Sequence, residues 1–241
     1  MSGDLIKVKL KAAGIHFGIS IIIFLGVLYL ILVEWYPGVF FEAEGGWNGI
    51  KLMAVVDLVL GPSLTLIIFN HLKAKKEIIF DLSLIAIVQI SALVWGGLQV
   101  YSERPVALVL WEDKFYPVTE DYYKKQNIHL SDLAKYSSDK PLLIYAATNS
   151  DVKKLKELQH LNEKKIPPFA QVHLYQSLKD NLDKALRYQL PDEIKINYFS
   201  RISGIDKALV QQHAFLGKAK YRNFVVVIDN DANLVYIQNL E

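Results

Sequence analysis

"IHFGISIIIFLGVLYLILV", residues 15–33, contains no Asp, Glu, Lys or Arg. As an α-helix it would rise about 28 Å at ~1.5 Å per residue, close to the ~30 Å hydrocarbon core of a bilayer. Two further apolar runs follow, "IKLMAVVDLVLGPSLTLIIF" at 50–69 and "IIFDLSLIAIVQISALVWGGLQVY" at 78–101. A soluble core can bury one such helix, but three in succession predict a membrane domain over residues 15–101. The first run is long, and no small-x-small cleavage pattern precedes Glu34 and Trp35, so it reads as a retained span rather than a signal peptide.

Charge in the connections sets the expected orientation. The tail, residues 1–14, carries Lys7, Lys9 and Lys11 against Asp4, and the turn after the second run carries Lys73, Lys75 and Lys76 against Glu77. The first connection holds Glu34, Glu42 and Glu44, with no basic residue before Lys51. The positive-inside rule therefore predicts a cytoplasmic N-terminus. Three crossings then place residues 102–241 on the far side, the periplasm in a bacterium.

That first connection, "WYPGVFFEAEGGW" at 35–47, holds Trp35, Tyr36, Phe40, Phe41 and Trp47 around a Pro37–Gly38 pair. An aromatic belt at headgroup depth, with a turn reversing the chain, accounts for this composition. Inside the second run, Asp57 is the one acidic residue, and a carboxylate in hydrocarbon is a functional candidate by default. A structural role, hydrogen-bonding the three helices together, is the expected one, with Tyr29, Gln89 or Ser91 as partners. No second carboxylate or histidine is expected at matching depth. Gly61–Pro62 predicts a kink in the same helix. Gly14 with Gly18, and Ala92 with Gly96, are small-residue pairs that would admit close helix approach.

The chain has 241 residues, a net charge of +2 and no cysteine. The charge is too small to suggest nucleic acid, and disulfides or Cys-based metal and redox sites are excluded. Residues 102–241 read as one α+β domain. "PVALVLWEDKFYPVT" predicts two strands around a Glu112–Asp113 turn, "PLLIYAATN" a third, and "NFVVVIDNDANLVYIQNLE" a closing hairpin. Val152, Leu155, Leu158 and Leu161 form a helical stripe capped by Ser150 or Asp151, and "SLKDNLDKALRYQL" at 177–190 predicts a second helix ended by Pro191. The lysines of 153–165 read as a solvated face.

Chemistry-bearing motifs are few. His160 and His173 belong to no metal-ligand spacing, and no metal or other cofactor is expected. "SSDK", Ser137–Lys140, matches SxxK, but Pro141 follows at once and no KTG accompanies it. "DNDAN" at 229–233 lacks the glycine and distal Glu of a calcium loop and reads as a hairpin turn. A membrane enzyme using Asp57, or Glu34 with Glu42, would need a nucleophile or metal that no motif supplies. The outer domain reads as a binding module, and the chain as a non-enzyme. A membrane-anchored sensor binding a small ligand is the alternative; with only a short tail and a turn expected on the cytoplasmic side, a partner would have to supply its output.

"KAAGIHFGIS" (11–20), "WYPGVFFEAEGGW", "VDLVLGPSLTLIIF" (56–69) and "FDLSLIAIVQISALVWGGLQVYSERP" (80–105) resemble the TfpX/TfpZ family of type IV pilin accessory proteins. Beyond them, the outer domain resembles the family in its length and its entry, "RPVALVLWEDKFYPV". The resemblance implies an inner-membrane protein that serves a type IV pilin without being a pilus subunit, with pilin and the lipid bilayer as its partners. It also draws attention to Trp35, Tyr36, Pro37, Gly38, Trp47, Asp57, Gly61 and Pro62 as structural or partner-binding candidates.

Overall fold

The computed structural model describes residues 3–36, 38–147, 165–202 and 207–240. The chain divides into two compact units: Met1–Pro37 with Gly45–Tyr101, and Gly38–Glu44 with Ser102–Glu241. The expected helix near 150–164 and its capping residues lie outside the described residues.

The first unit is all helix. α1 (Gly3–Tyr29) continues through wider, π-helical turns over Leu30–Trp35. Lys7, Lys9 and Lys11 lie within the first turns of this helix. After α2 (Phe40–Ala43), which belongs to the second unit, come α3 (Gly46–Ala54), a π-helical stretch over Val55–Leu60, and α4 (Gly61–Ile68). α5 (Lys75–Ser102) completes the unit. Leu5–Trp35, Gly46–Ile68 and Lys75–Ser102 are each long and apolar enough to cross a membrane. Ile22, Ile67 and Trp95 are 72%, 69% and 68% exposed, the outward-facing apolar surface that hydrocarbon would cover.

Close packing in this unit follows the small residues on the second and third apolar helices. A Cβ on Gly49 would lie 2.9 Å from Val100, one on Gly96 3.3 Å from Met53, and one on Gly61 1.9 Å from the Gln89 amide nitrogen. The pairs 49–100, 53–96 and 61–89 step in opposite directions, so the two helices run antiparallel and near-touching. Gly14 and Gly18 have nothing within 4 Å of such a Cβ. The GxxxG expectation therefore fails within this chain, while the Ala92–Gly96 pair does meet a neighbour.

The second unit is a mixed seven-stranded sheet: β1 (Pro105–Trp111), β2 (Lys114–Thr119), β3 (Leu142–Ala146), β4 (Tyr175–Ser177), β5 (His213–Lys218), β6 (Asn223–Ile228) and β7 (Leu234–Asn239), in the order β4-β3-β1-β2-β5-β6-β7. β1 pairs parallel with β3, and β2 parallel with β5; the other pairings are antiparallel. Ala107–Leu110 are fully buried, as a central strand covered on both faces requires.

Both expected hairpins form. Asp229 organises the turn between β6 and β7, its Oδ1 accepting from the backbone N–H of Asp231 and of Asn233 at 2.9 Å each. The helix expected over 177–190 is broken. Ser177 ends β4 against β3, and the rest becomes short 3-10 turns around α7, only Leu182–Ala185. Pairing at the sheet edge overrides the helical pattern there. The sequence reading did not anticipate β4, β5, α2, α6 (Glu120–Lys125) or α8 (Asp192–Ser200).

Candidate functional site

Within the first unit, polar side chains converge where the second apolar helix departs from α-geometry. Gly61 N–H donates to Val56 O, five residues back, the π-helical register. The next bond in that register would run from residue 62 to Asp57 O, but proline has no N–H to give. Gln89 of α5 supplies the missing donor: its Nε2 reaches Asp57 O at 3.4 Å. A neighbouring helix thus satisfies a carbonyl that proline orphans, which is how such a break is tolerated away from water. Gly61 is what lets Gln89 come so close.

The Gln89 Oε1 is met in turn by His16 of α1. The His16 Nε2 is 2.7 Å from Gln89 Oε1, and its Nδ1 is 2.6 Å from Thr65 Oγ1. Because an amide oxygen only accepts, Nε2 carries the proton; in the neutral ring Thr65 donates to Nδ1. Thr65 and Gln89 are 1% and 9% exposed. The expectation that no histidine lies near Asp57 in depth is corrected: His16 joins this network. Its signal was a lone polar ring in an apolar run. Of the partners expected for Asp57, Gln89 is in place, bonded to the backbone rather than the carboxylate. Tyr29 is 59% exposed and Ser91 is exposed as well. Asp57 itself is 5% exposed, and among the described residues its Oδ2 has no hydrogen-bond partner. It lies midway along Gly46–Ile68, deeper than its place in the apolar run implied.

The aromatic connection divides between the two units. Trp35 packs edge-on to Tyr101, ring centroids 5.0 Å apart, and the buried Tyr36 hydroxyl donates to Val100 O at 2.8 Å. Both ties join the end of the first apolar helix to the end of the third. Trp47 is 49% exposed, and Pro37 lies outside the described residues.

Gly38–Glu44 folds with the second unit. Gly38 and Gly45 bracket the segment with φ of +68° and +77°, the region that favours glycine. Phe40 and Phe41 are 2% and 4% exposed, buried rather than laid out as an exposed belt. Phe40 stands edge-on to Phe224 at 6.1 Å. Phe224 in turn fills the space that a Cβ on Gly217 would take, 2.1 Å from its ring. Tyr221 N–H donates to Ala43 O at 3.0 Å, Asn239 Nδ2 to Val39 O at 3.3 Å, and Arg222 pairs with Glu42 at 3.2 Å.

A cleft of about 490 Å³ opens beside this segment, lined by Glu44, Glu103, Asp121, Lys125, Lys218 and Lys220 around the rings of Tyr116, Tyr122 and Phe169. Tyr116 and Phe169 stack at 4.4 Å with an interplanar angle of 6°. Burial pushes the Glu44 carboxyl up to about 7, against a backbone N–H from Lys220 that favours its charged form. No group of three or more His, Asp or Glu side chains among the described residues could hold a metal. Ser137, of the SxxK match, sits in the loop before β3, its hydroxyl accepting from Leu143 N–H at 3.1 Å.

No protein-family model matches the chain, and no solved structure does. Over 99 residues it is 39% identical to the fimbrial assembly protein of serogroup E1 of Dichelobacter nodosus, covering 41% of this chain and 38% of that protein. Over 104 residues it is 38% identical to the serogroup I protein, covering 43% of this chain and 40% of that one. Against the fimbrial assembly protein of serogroups C1 and C2, 38% identity extends over 99 residues, or 41% of this chain and 76% of that shorter relative. The matches thus span less than half of two of these relatives and about three quarters of the third, at an identity well above the level where only a fold is shared. The chain therefore belongs to the family of these fimbrial assembly proteins.

Proposed function

We propose that this chain is a multi-pass accessory protein of the bacterial inner membrane that supports type IV pilus biogenesis by holding pilin, as the resemblance to the TfpX/TfpZ family implies. Family membership carries the reading: the relatives are named for fimbrial assembly. The N-terminus is cytoplasmic and residues 102–241 are periplasmic, in keeping with the lysines at both ends of the expected inner side. The holding mechanism draws on two features: three apolar helices, suited to a client's apolar stem, and a separate folded unit, suited to its globular head. Two modest contacts on one molecule act with high effective concentration and still release. Holding of this kind needs no catalytic step.

Deleting the gene and measuring pilin abundance and surface piliation tests this. Low pilin, restored by the full chain and not by either unit alone, is the expected result. Unchanged pilin with normal pili would refute it. The cleft at Glu44 favours a second reading, a sensor whose outer unit binds a small ligand. That reading predicts normal pilin levels and saturable binding abolished by filling the cleft at Ala219.

A further inference from the structure

An apolar cavity of about 230 Å³ lies between α3, the π-helical stretch and α5, walled by Leu52, Met53, Val56, Leu93 and Trp95, with Asp57 as its acidic residue. Asp57 is 95% buried by exposure of 5%, and its Oδ2 has no hydrogen-bond partner among the described residues. None of the hydrogen bonds recorded for the polar side chains beside it goes to this oxygen. The His16 ring is held by Thr65 and Gln89, and the Gln89 amide by His16 and the Asp57 carbonyl. The network that repairs the proline break therefore leaves the carboxylate incomplete, and a buried carboxylate without a partner is costly.

Three features define what would complete it. The rim is open sideways, since Leu52 and Trp95 are 62% and 68% exposed. The volume is several times the ~30 Å³ share of a water molecule, enough for a long side chain and far too small for a helix ~10–12 Å across. Asp57 also lies eleven residues from either end of Gly46–Ile68, about 16 Å at ~1.5 Å per residue. A lipid headgroup amine stays at the interface, whereas an amine carried midway along an apolar helix reaches this depth. We propose that the cavity receives one ammonium side chain from the apolar helix of another membrane protein, paired with Asp57. The proposal stands apart from the pilin reading, because it specifies the partner by chemistry alone.

The test uses the full chain in phosphatidylcholine vesicles with fluorescent Leu/Ala transmembrane peptides bearing either a central lysine or its neutral isostere norleucine. Energy transfer to a labelled chain reports association. The lysine peptide should associate at least tenfold more tightly, and the preference should vanish in Asp57→Asn. Ala92→Phe, which fills the cavity and keeps the carboxylate, should abolish it too, with the helical circular-dichroism signal confirming that both variants fold. Equal association of the two peptides with the native chain would overturn the proposal. So would a lysine preference that survives either substitution.

Discussion

Replacing Gly61 with alanine would drive a methyl group into Gln89. The new Cβ would stand 1.9 Å from its Nε2 and 2.5 Å from its Cδ, far inside contact distance, so Gln89 must move. Moving it gives up the 2.7 Å bond to His16 and the 3.4 Å bond to Asp57 O. Side-chain hydrogen bonds between apolar helices average about 0.6 kcal/mol and reach about 1.7, and an off-rotamer Gln89 adds about 1 kcal/mol. The clash should therefore cost about 2–4 kcal/mol. Alanine's better helix propensity returns up to about 1 kcal/mol, which Gly14→Ala and Gly18→Ala, with open space at their Cβ positions, would show on their own. The assay is unfolding of the full chain in mixed micelles on titration with a denaturing detergent, followed by helical circular dichroism. Gly61→Ala should fall about 2–4 kcal/mol below Gly14→Ala. In a Gln89→Ala background the same substitution should cost nothing. A Gly61→Ala protein as stable as Gly14→Ala would refute the reasoning that glycine is there to admit Gln89.

Phe40→Ala should destabilise the second unit by about 3–5 kcal/mol, because a nearly buried ring leaves its place against Phe224; thermal melting of the full chain in detergent checks it. Arg222→Ala, which removes a half-exposed ion pair with Glu42, should cost less than about 1 kcal/mol in the same assay. Glu44 keeps its proton to about pH 7 in the folded chain, against an ordinary value of 4.5, because burial disfavours the charge. The folded state then holds more protons than the unfolded one between those values, so stability falls as pH rises through that window, by about 3 kcal/mol in full. Glu44→Gln should flatten the decline, raising the melting temperature at pH 8 and leaving it unchanged at pH 4.5. Tyr36→Phe removes the donor to Val100 O and should cost about 1 kcal/mol in the micelle titration.

Much of this architecture was readable in one dimension, because hydrophobic period and turn chemistry are local. Three runs without compensating charge announced three helices, and the Glu112–Asp113 and Asp229–Asn233 turns announced their hairpins. Asp57, Gly61 and Pro62 stood out for the same reason: each breaks an apolar helical pattern. Gln89 was nameable as a partner, but not the service it performs. That depends on the π-helical register, which moves the orphaned carbonyl from Leu58 to Asp57.

Tertiary structure decided what depends on residues far apart in the chain. The aromatics of 35–47 share one composition, yet Trp35 and Tyr36 tie helices together while Phe40 packs against Phe224 of the sheet. The bond from Asn239 to Val39 spans 200 positions, and no local pattern near Val39 points to it. β5 was hidden because Gly217 makes a poor strand residue in isolation; it is tolerated where the Phe224 ring fills the space over it. The run at 177–190 has a helix's periodicity, but Ser177 is drawn into pairing with β3. Composition and period therefore determined which segments are apolar helices and which are hairpin strands. Contacts between distant residues decided which surfaces those segments bury, since burial is a property of the neighbour as much as of the residue.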